Sequence, residues 1–257
     1  MRPQWLIDLH EEFPGSAVVA AALDDALIVE PHDAMMGRWP VVHDGRVAVG
    51  YGTMPTMRSL RRVPRLGEAV FDDYATLRCS SYYRHVYDLL GRTAFFVPFS
   101  AIPALPLQRM LGGDRVFVRS DTNYKLFPAG VHAIEDLADW LQTYDQYRDE
   151  LVVVSEVVTF EHEYRCFCRN GRFVCGSSYP IEPYSTVPDH VRDFAETAAA
   201  RLLVHGSTMV TVDVGVGLDG VLRLVEIGGV NSWGIYGSNV ADFIAAMEAE
   251  ALARADE

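Results

Sequence analysis

Apolar residues fall in short blocks along the chain, and their period changes from one block to the next. Ala26–Val29 and Val47–Tyr51 are strand-like and are separated by His43-Asp44-Gly45, a pattern that predicts a hairpin. Gly50-Tyr51-Gly52-Thr53 follows at the strand end and reads either as a turn or as backbone open to close ligand approach. Tyr83, Val86, Tyr87 and Leu90 share one face of a predicted helix over 80–90. Beyond Pro103 and Pro106, Arg115–Arg119 reads as a strand and 120–130 as a polar loop. Ile134, Leu137, Ala138 and Leu141 then predict a helix over 132–148. The run Leu151–Val158 is almost continuously apolar, as in a strand covered on both faces. A hairpin over 163–179, a helix over 189–204 stopped by Gly206, a second hairpin over 209–227 and a helix over 240–254 complete the pattern. Strands and helices mixed with two antiparallel hairpins predict an α+β (mixed α/β) class, not a doubly wound parallel sheet.

A length of 257 residues suits one substantial domain or two small ones, and 49% hydrophobic with 22% charged residues is enough to bury a core. The net charge of -13 argues against a nucleic-acid partner. No stretch approaches the ~18 apolar residues of a membrane span, and the N-terminal residues lack a secretory pattern. Cys79, Cys166, Cys168 and Cys175 show no zinc spacing, and a reduced cytoplasmic protein is expected.

The second hairpin carries the first candidate chemistry. A two-residue turn at Asp219-Gly220 pairs Leu218 with Val221, and outward counting sets Asp213 opposite Glu226. Two carboxylates so placed repel unless a proton or a cation intervenes, and oxygen ligands on rigid strands suit Mg²⁺. Asn231, in the glycine-rich stretch after Glu226, has two open readings: a neutral oxygen for the same metal, or a turn residue. In the first hairpin a turn at Asn170-Gly171 sets Cys166 opposite Cys175 and puts Glu163 and Arg165 on one face. Beside the acid pair, Arg165 is expected to contact phosphate. Arg119, delivered by a strand, and Lys125, on the following loop, are two more cations suited to a triphosphate, although no Walker P-loop is present.

This order of elements resembles the ATP-grasp superfamily, most closely a compact bacterial and phage branch with arginine where most relatives carry the first lysine. The likeness runs from about residue 115 to 246. It implies a fold in which two antiparallel-sheet subdomains clasp ATP, preceded by a small α/β domain, with divisions at 1–100 and 101–257. By that resemblance Arg119 and Lys125 bind phosphates. Glu156 and the Val158 backbone bind adenine, and Glu163 holds the ribose. Arg165 stabilises the moving phosphoryl group, with Lys125 beside it in the catalytic set, and Asp213 and Glu226 bind magnesium. One departure stands out: where the family commonly has asparagine two residues past this glutamate, Gly228 stands here.

The activity implied is an ATP- and Mg²⁺-dependent carboxylate–amine ligase, ADP-forming through an acyl phosphate, acting on a small molecule or peptide. Ser177, Tyr179 and Tyr236 are candidate substrate contacts. The alternatives are a nucleotide-binding assembly factor with little turnover and a kinase-like phosphoryl transferase.

Overall fold

The computed structural model describes residues 2–43, 45–179 and 186–256, and the side chain of His205 is not among the described groups. The chain divides into two compact units. Unit 1 comprises Met1–Asp73, His162–Val214 and Glu226–Glu257; unit 2 comprises Tyr74–Glu161 and Gly215–Val225.

Unit 1 opens with β1 (Gln4–Asp8), α1 (Gly15–Ala21), β2 (Leu27–Val29), α2 (Pro31–Met35), β3 (Ala48–Tyr51) and α3 (Met54–Leu60). β2 and β3 both pair with β1 and both run parallel to it, giving the order β2-β1-β3. The expected hairpin between β2 and β3 is therefore absent. Every residue of β1 is buried, so the strand lies between two neighbours, and helical crossovers make those pairings parallel. The anticipated turn residue Asp44 lies outside the described residues.

Unit 2 contains α4 (Cys79–Val86), β4 (Ala94–Pro98), α5 (Leu107–Leu111), β5 (Arg115–Ser120), β6 (Gly130–Ala133), α6 (Leu137–Thr143) and β7 (Leu151–Ser155). Its sheet has the order β4-β7-β5-β6 with antiparallel pairs throughout. The helix expected over 132–148 is shorter than its apolar pattern. Val131 and His132 pair with Phe117 and Val116 on β5, whose outer backbone groups need partners. Leu137 and Leu141 remain on the helix and enter the core with Val118, Val152, Val154 and Phe127. The apolar run at 151–158 leaves the sheet after Ser155.

The rest of the chain forms β8 (Phe160–Arg169), β9 (Arg172–Tyr179), α7 (Asp189–Leu202), β10 (Met209–Gly217), β11 (Leu222–Gly228) and α8 (Val240–Ala255), with sheet order β11-β10-β8-β9. Asn239 caps α8 by accepting from the Ala241 and Asp242 N–H groups at 3.0 and 3.3 Å. Phe167, Cys175, Met209, Phe243 and Met247 join Trp5, Ile7, Val49 and Tyr51 in one core.

Two registers differ from the counting. Arg169 faces Arg172 and Cys168 faces Phe173 as expected, but a bulge at Phe167/Cys168 sets Phe167 opposite Cys175 and Cys166 opposite Gly176. All four cysteines are buried thiols, none of them in a disulfide. In the second hairpin the Gly217 N–H donates to the Val221 carbonyl at 3.0 Å, and the Gly220 N–H to the Gly217 carbonyl at 2.8 Å. The loop thus holds three residues, 218–220, and Leu218 does not pair with Val221. One extra loop residue shifts the count by one, so counting no longer sets Asp213 opposite Glu226.

Candidate nucleotide and metal site

In unit 1 the candidate residues gather around Arg165. It projects from β8 with the alternation that also places Glu163 on its face. Its Nε donates to Asp213 Oδ1 at 2.8 Å and its Nη2 to Asp213 Oδ2 at 2.6 Å, a two-pronged pair with both side chains largely buried. Burial works against the guanidinium charge. The Asp213 carboxylate outweighs it, with smaller help from Tyr236 and Glu226, and holds Arg165 protonated more firmly than usual. Asp213 is thus bound to Arg165 directly, while Glu226 acts on the same arginine only through its charge.

The Arg165 guanidinium lies 4.9 Å from the centre of the Tyr236 ring, which in turn stands 4.9 Å from the ring of Tyr179. Tyr236 has a φ of +46°, a conformation costly for a bulky residue and a mark of a site held by its surroundings. Burial raises its hydroxyl pKa against the opposing pull of Arg165. Ser177 is buried, and its hydroxyl accepts the Gly237 N–H at 3.2 Å, so it fastens the same loop.

Asn231 is committed elsewhere. Its Oδ1 accepts from the Phe71 and Asp72 N–H groups at 2.7 and 3.2 Å, and its Nδ2 donates to the Gly50 and Ala69 carbonyls at 2.7 and 3.1 Å. Both lone pairs of the amide oxygen are spent on backbone groups far away in sequence, a tie that neither the local turn reading nor the metal reading describes. Gly228 also has a local cause. A Cβ there would stand 2.2 Å from Trp233 Nε1 and 2.6 Å from Thr211 Oγ1, so the indole occupies the space a side chain would need.

Sequence reasoning missed Asp72. This fully buried carboxylate accepts the Val230 and Asn231 N–H groups at 2.6 and 3.3 Å and fixes the loop that follows Glu226. Burial raises its pKa to about 6, against the lowering effect of those hydrogen bonds and of Arg61. Its only signal was an acid flanked by apolar residues in Val70-Phe71-Asp72-Asp73-Tyr74.

Unit 2 carries the remaining candidates. Arg119 stands opposite Val153 near the end of β5. The loop after it is anchored by buried Asp121, whose Oδ1 accepts the Ser80 N–H at 2.6 Å. Its Oδ2 accepts Arg78 Nε at 2.7 Å and the Ser80 hydroxyl at 2.9 Å. Beyond this anchor Lys125 is exposed with a φ of +48°. Glu156 bonds Thr93 twice, through its N–H at 3.0 Å and through Oε2, which accepts the Thr93 N–H at 2.7 Å. Glu156, Val157 and Val158 line a concavity of about 390 Å³ with Gly112, Gly113 and Arg115, within the size range of small-molecule sites.

Asp213 and Glu226 suit a hard divalent cation that takes its other oxygens from phosphate and water. Among the described residues no three His, Cys, Asp or Glu side chains converge as a group that could hold a metal ion.

The fold is that of solved ATP-grasp proteins. The D-alanine-D-alanine ligase of Coxiella burnetii aligns over 99% of this chain and 96% of its own, with a TM-score of 0.67 and 10% identity. A RimK domain ATP-grasp protein of Sphaerobacter thermophilus aligns over 96% and 98% with a TM-score of 0.65 and 18% identity. The ATP-grasp ligase PsnB, solved with a phosphomimetic variant of its minimal precursor, Mg and ADP, covers 98% of each chain at a TM-score of 0.58 and 13% identity. No curated protein matches at the sequence level. Residues 90–246 match the ATP-grasp domain of R2K clade family 2, and the chain belongs to that family.

Proposed function

We propose that the protein is an ADP-forming carboxylate–amine ligase. The observation that carries this reading is the Arg165 cluster, a buried cation gripped by Asp213 and within the influence of Glu226. Arg119 and Lys125 receive the phosphates, Glu156 and the Val158 backbone the adenine, and Glu163 the ribose. A carboxylate oxygen of the substrate attacks the γ-phosphorus and ADP leaves. An amine then attacks the acyl carbon, loses a proton and expels phosphate, which makes the C–N bond. Arg165 stabilises the charge spread over the moving phosphoryl oxygens. Asp213 and Glu226 would hold Mg²⁺, which when bound neutralises phosphate charge. Tyr179, Tyr236 and Ser177 bound the acceptor side. PsnB, solved with a precursor peptide and a nucleotide, supports a small-molecule or peptide substrate. Four buried thiols without a disulfide support a cytoplasmic setting, and no helix among the described residues is long and apolar enough to cross a membrane.

The test is nucleotide analysis after incubation with pools of carboxylates and amines. ADP and phosphate are expected, in amounts that depend on both pools. AMP and pyrophosphate, or a phosphorylated product formed without an amine, would reject this chemistry.

A further inference from the structure

The Gly50–Thr53 cluster has no part in the nucleotide chemistry, yet it packs against a buried acid. Asp8 ends β1 and is fully buried. The chain builds β2 on one side of β1 and returns to build β3 on the other, so the strand order reverses at β1. In open parallel sheets, ligands bind outside the carboxyl ends of strands at such a reversal. Gly52, just past β3, admits only a hydrogen there, because an added Cβ would stand 2.4 Å from the Asp8 Cβ.

The two oxygens of Asp8 differ. Oδ2 accepts the Thr53 N–H at 3.0 Å and the Thr53 hydroxyl at 2.5 Å, and that hydroxyl lies 3.0 Å from Thr56 Oγ1. Oδ1 is buried with no hydrogen-bond partner, and no ion pair to Asp8 is found among the described residues. An asparagine oxygen would serve Thr53 equally well, so the second carboxylate oxygen has no use among the described residues. Buried carboxylates are stable when a donor, best a cationic one, meets each oxygen.

We propose that Asp8 is the recognition group for a protonated amino group of the substrate, which makes the substrate class a free amino acid. This rests on the ligase reading, with the bound ammonium serving as a handle, because the attacking amine must keep its lone pair.

The experiment is differential scanning calorimetry of the full chain with individual amino acids at millimolar concentration, each beside its N-acetyl counterpart, and with Mg-ATP as a separate arm. At least one amino acid should raise the melting temperature of the parent while its acetylated form does not. Asp8→Asn should bind that amino acid roughly ten- to hundredfold more weakly, the worth of a hydrogen bond to a charged group, and keep the full Mg-ATP shift. The proposal fails if no amino acid shifts the parent, if acetylated forms act equally, or if Asp8→Asn binds like the parent. The parent comparison decides even when the variant does not fold. Discrimination by the amino group without any Mg-ATP shift would uphold Asp8 and reject the nucleotide reading instead.

Discussion

Replacing Asn231 by alanine separates an amide that holds the fold from one that holds a metal. The substitution strands four backbone groups: the N–H groups of Phe71 and Asp72 and the carbonyls of Gly50 and Ala69. Asn231 is fully buried, so bulk water does not reach these groups directly. A buried group left unpaired costs roughly 1–3 kcal/mol. The two bonds at 2.7 Å carry the larger share and those at 3.2 and 3.1 Å the smaller, and water entering the emptied space recovers part. A net loss of about 4 kcal/mol is expected, a large fraction of the roughly 5–15 kcal/mol that holds a domain together. Urea unfolding without nucleotide measures it, and Mg-ATP titration below the lowered melting point measures the site. Stability should fall sharply, while the folded protein binds Mg-ATP within about threefold of the parent, well under the tenfold that ~1.4 kcal/mol represents. Unfolding free energy within ~0.5 kcal/mol of the parent, with metal-dependent ATP binding abolished, would refute the reasoning and restore Asn231 as a metal ligand.

Lys125→Gly should relieve the positive φ and raise stability by about 1 kcal/mol, while ATP affinity drops roughly tenfold or more through loss of a phosphate contact. Thermal melts beside ATP titrations read both, and unchanged affinity would return Lys125 to a surface role. Asp72 titrates at about 6 in the fold against an ordinary value of 3.8, so the folded state binds this proton more tightly than the unfolded one. Its contribution, roughly 3 kcal/mol, is therefore present below pH ~4 and lost as pH rises to ~6. Stability of Asp72→Asn should be flatter across that window, and parallel curves for parent and variant would contradict the assignment. Glu226→Gln should melt like the parent without ligand but lose most of the Mg-ATP shift. A full shift would remove Glu226 from the metal set.

The elements that carry local signals were legible in the residues. Asn170-Gly171 sets its turn, an apolar face marks α4, and the long terminal helices α7 and α8 follow from their periodicity. Arg119, Glu156, Arg165, Asp213 and Glu226 could be named as candidates because the order of strand, loop and hairpin survives in one dimension. Pairing partners were not legible. β2 and β3 bracket a central strand that counting along the chain never connects to them, and β6 takes His132 from a helical pattern because β5 has backbone groups to satisfy. A single bulge at Phe167/Cys168 and a three-residue loop at 218–220 each shift a register by one residue, which moves side chains relative to their expected partners. The roles of Asn231, Asp72 and Asp8 belong to the tertiary structure alone. Each depends on backbone atoms distant in sequence, and the free energy of a buried polar group is set by the partners that reach it, not by its neighbours along the chain.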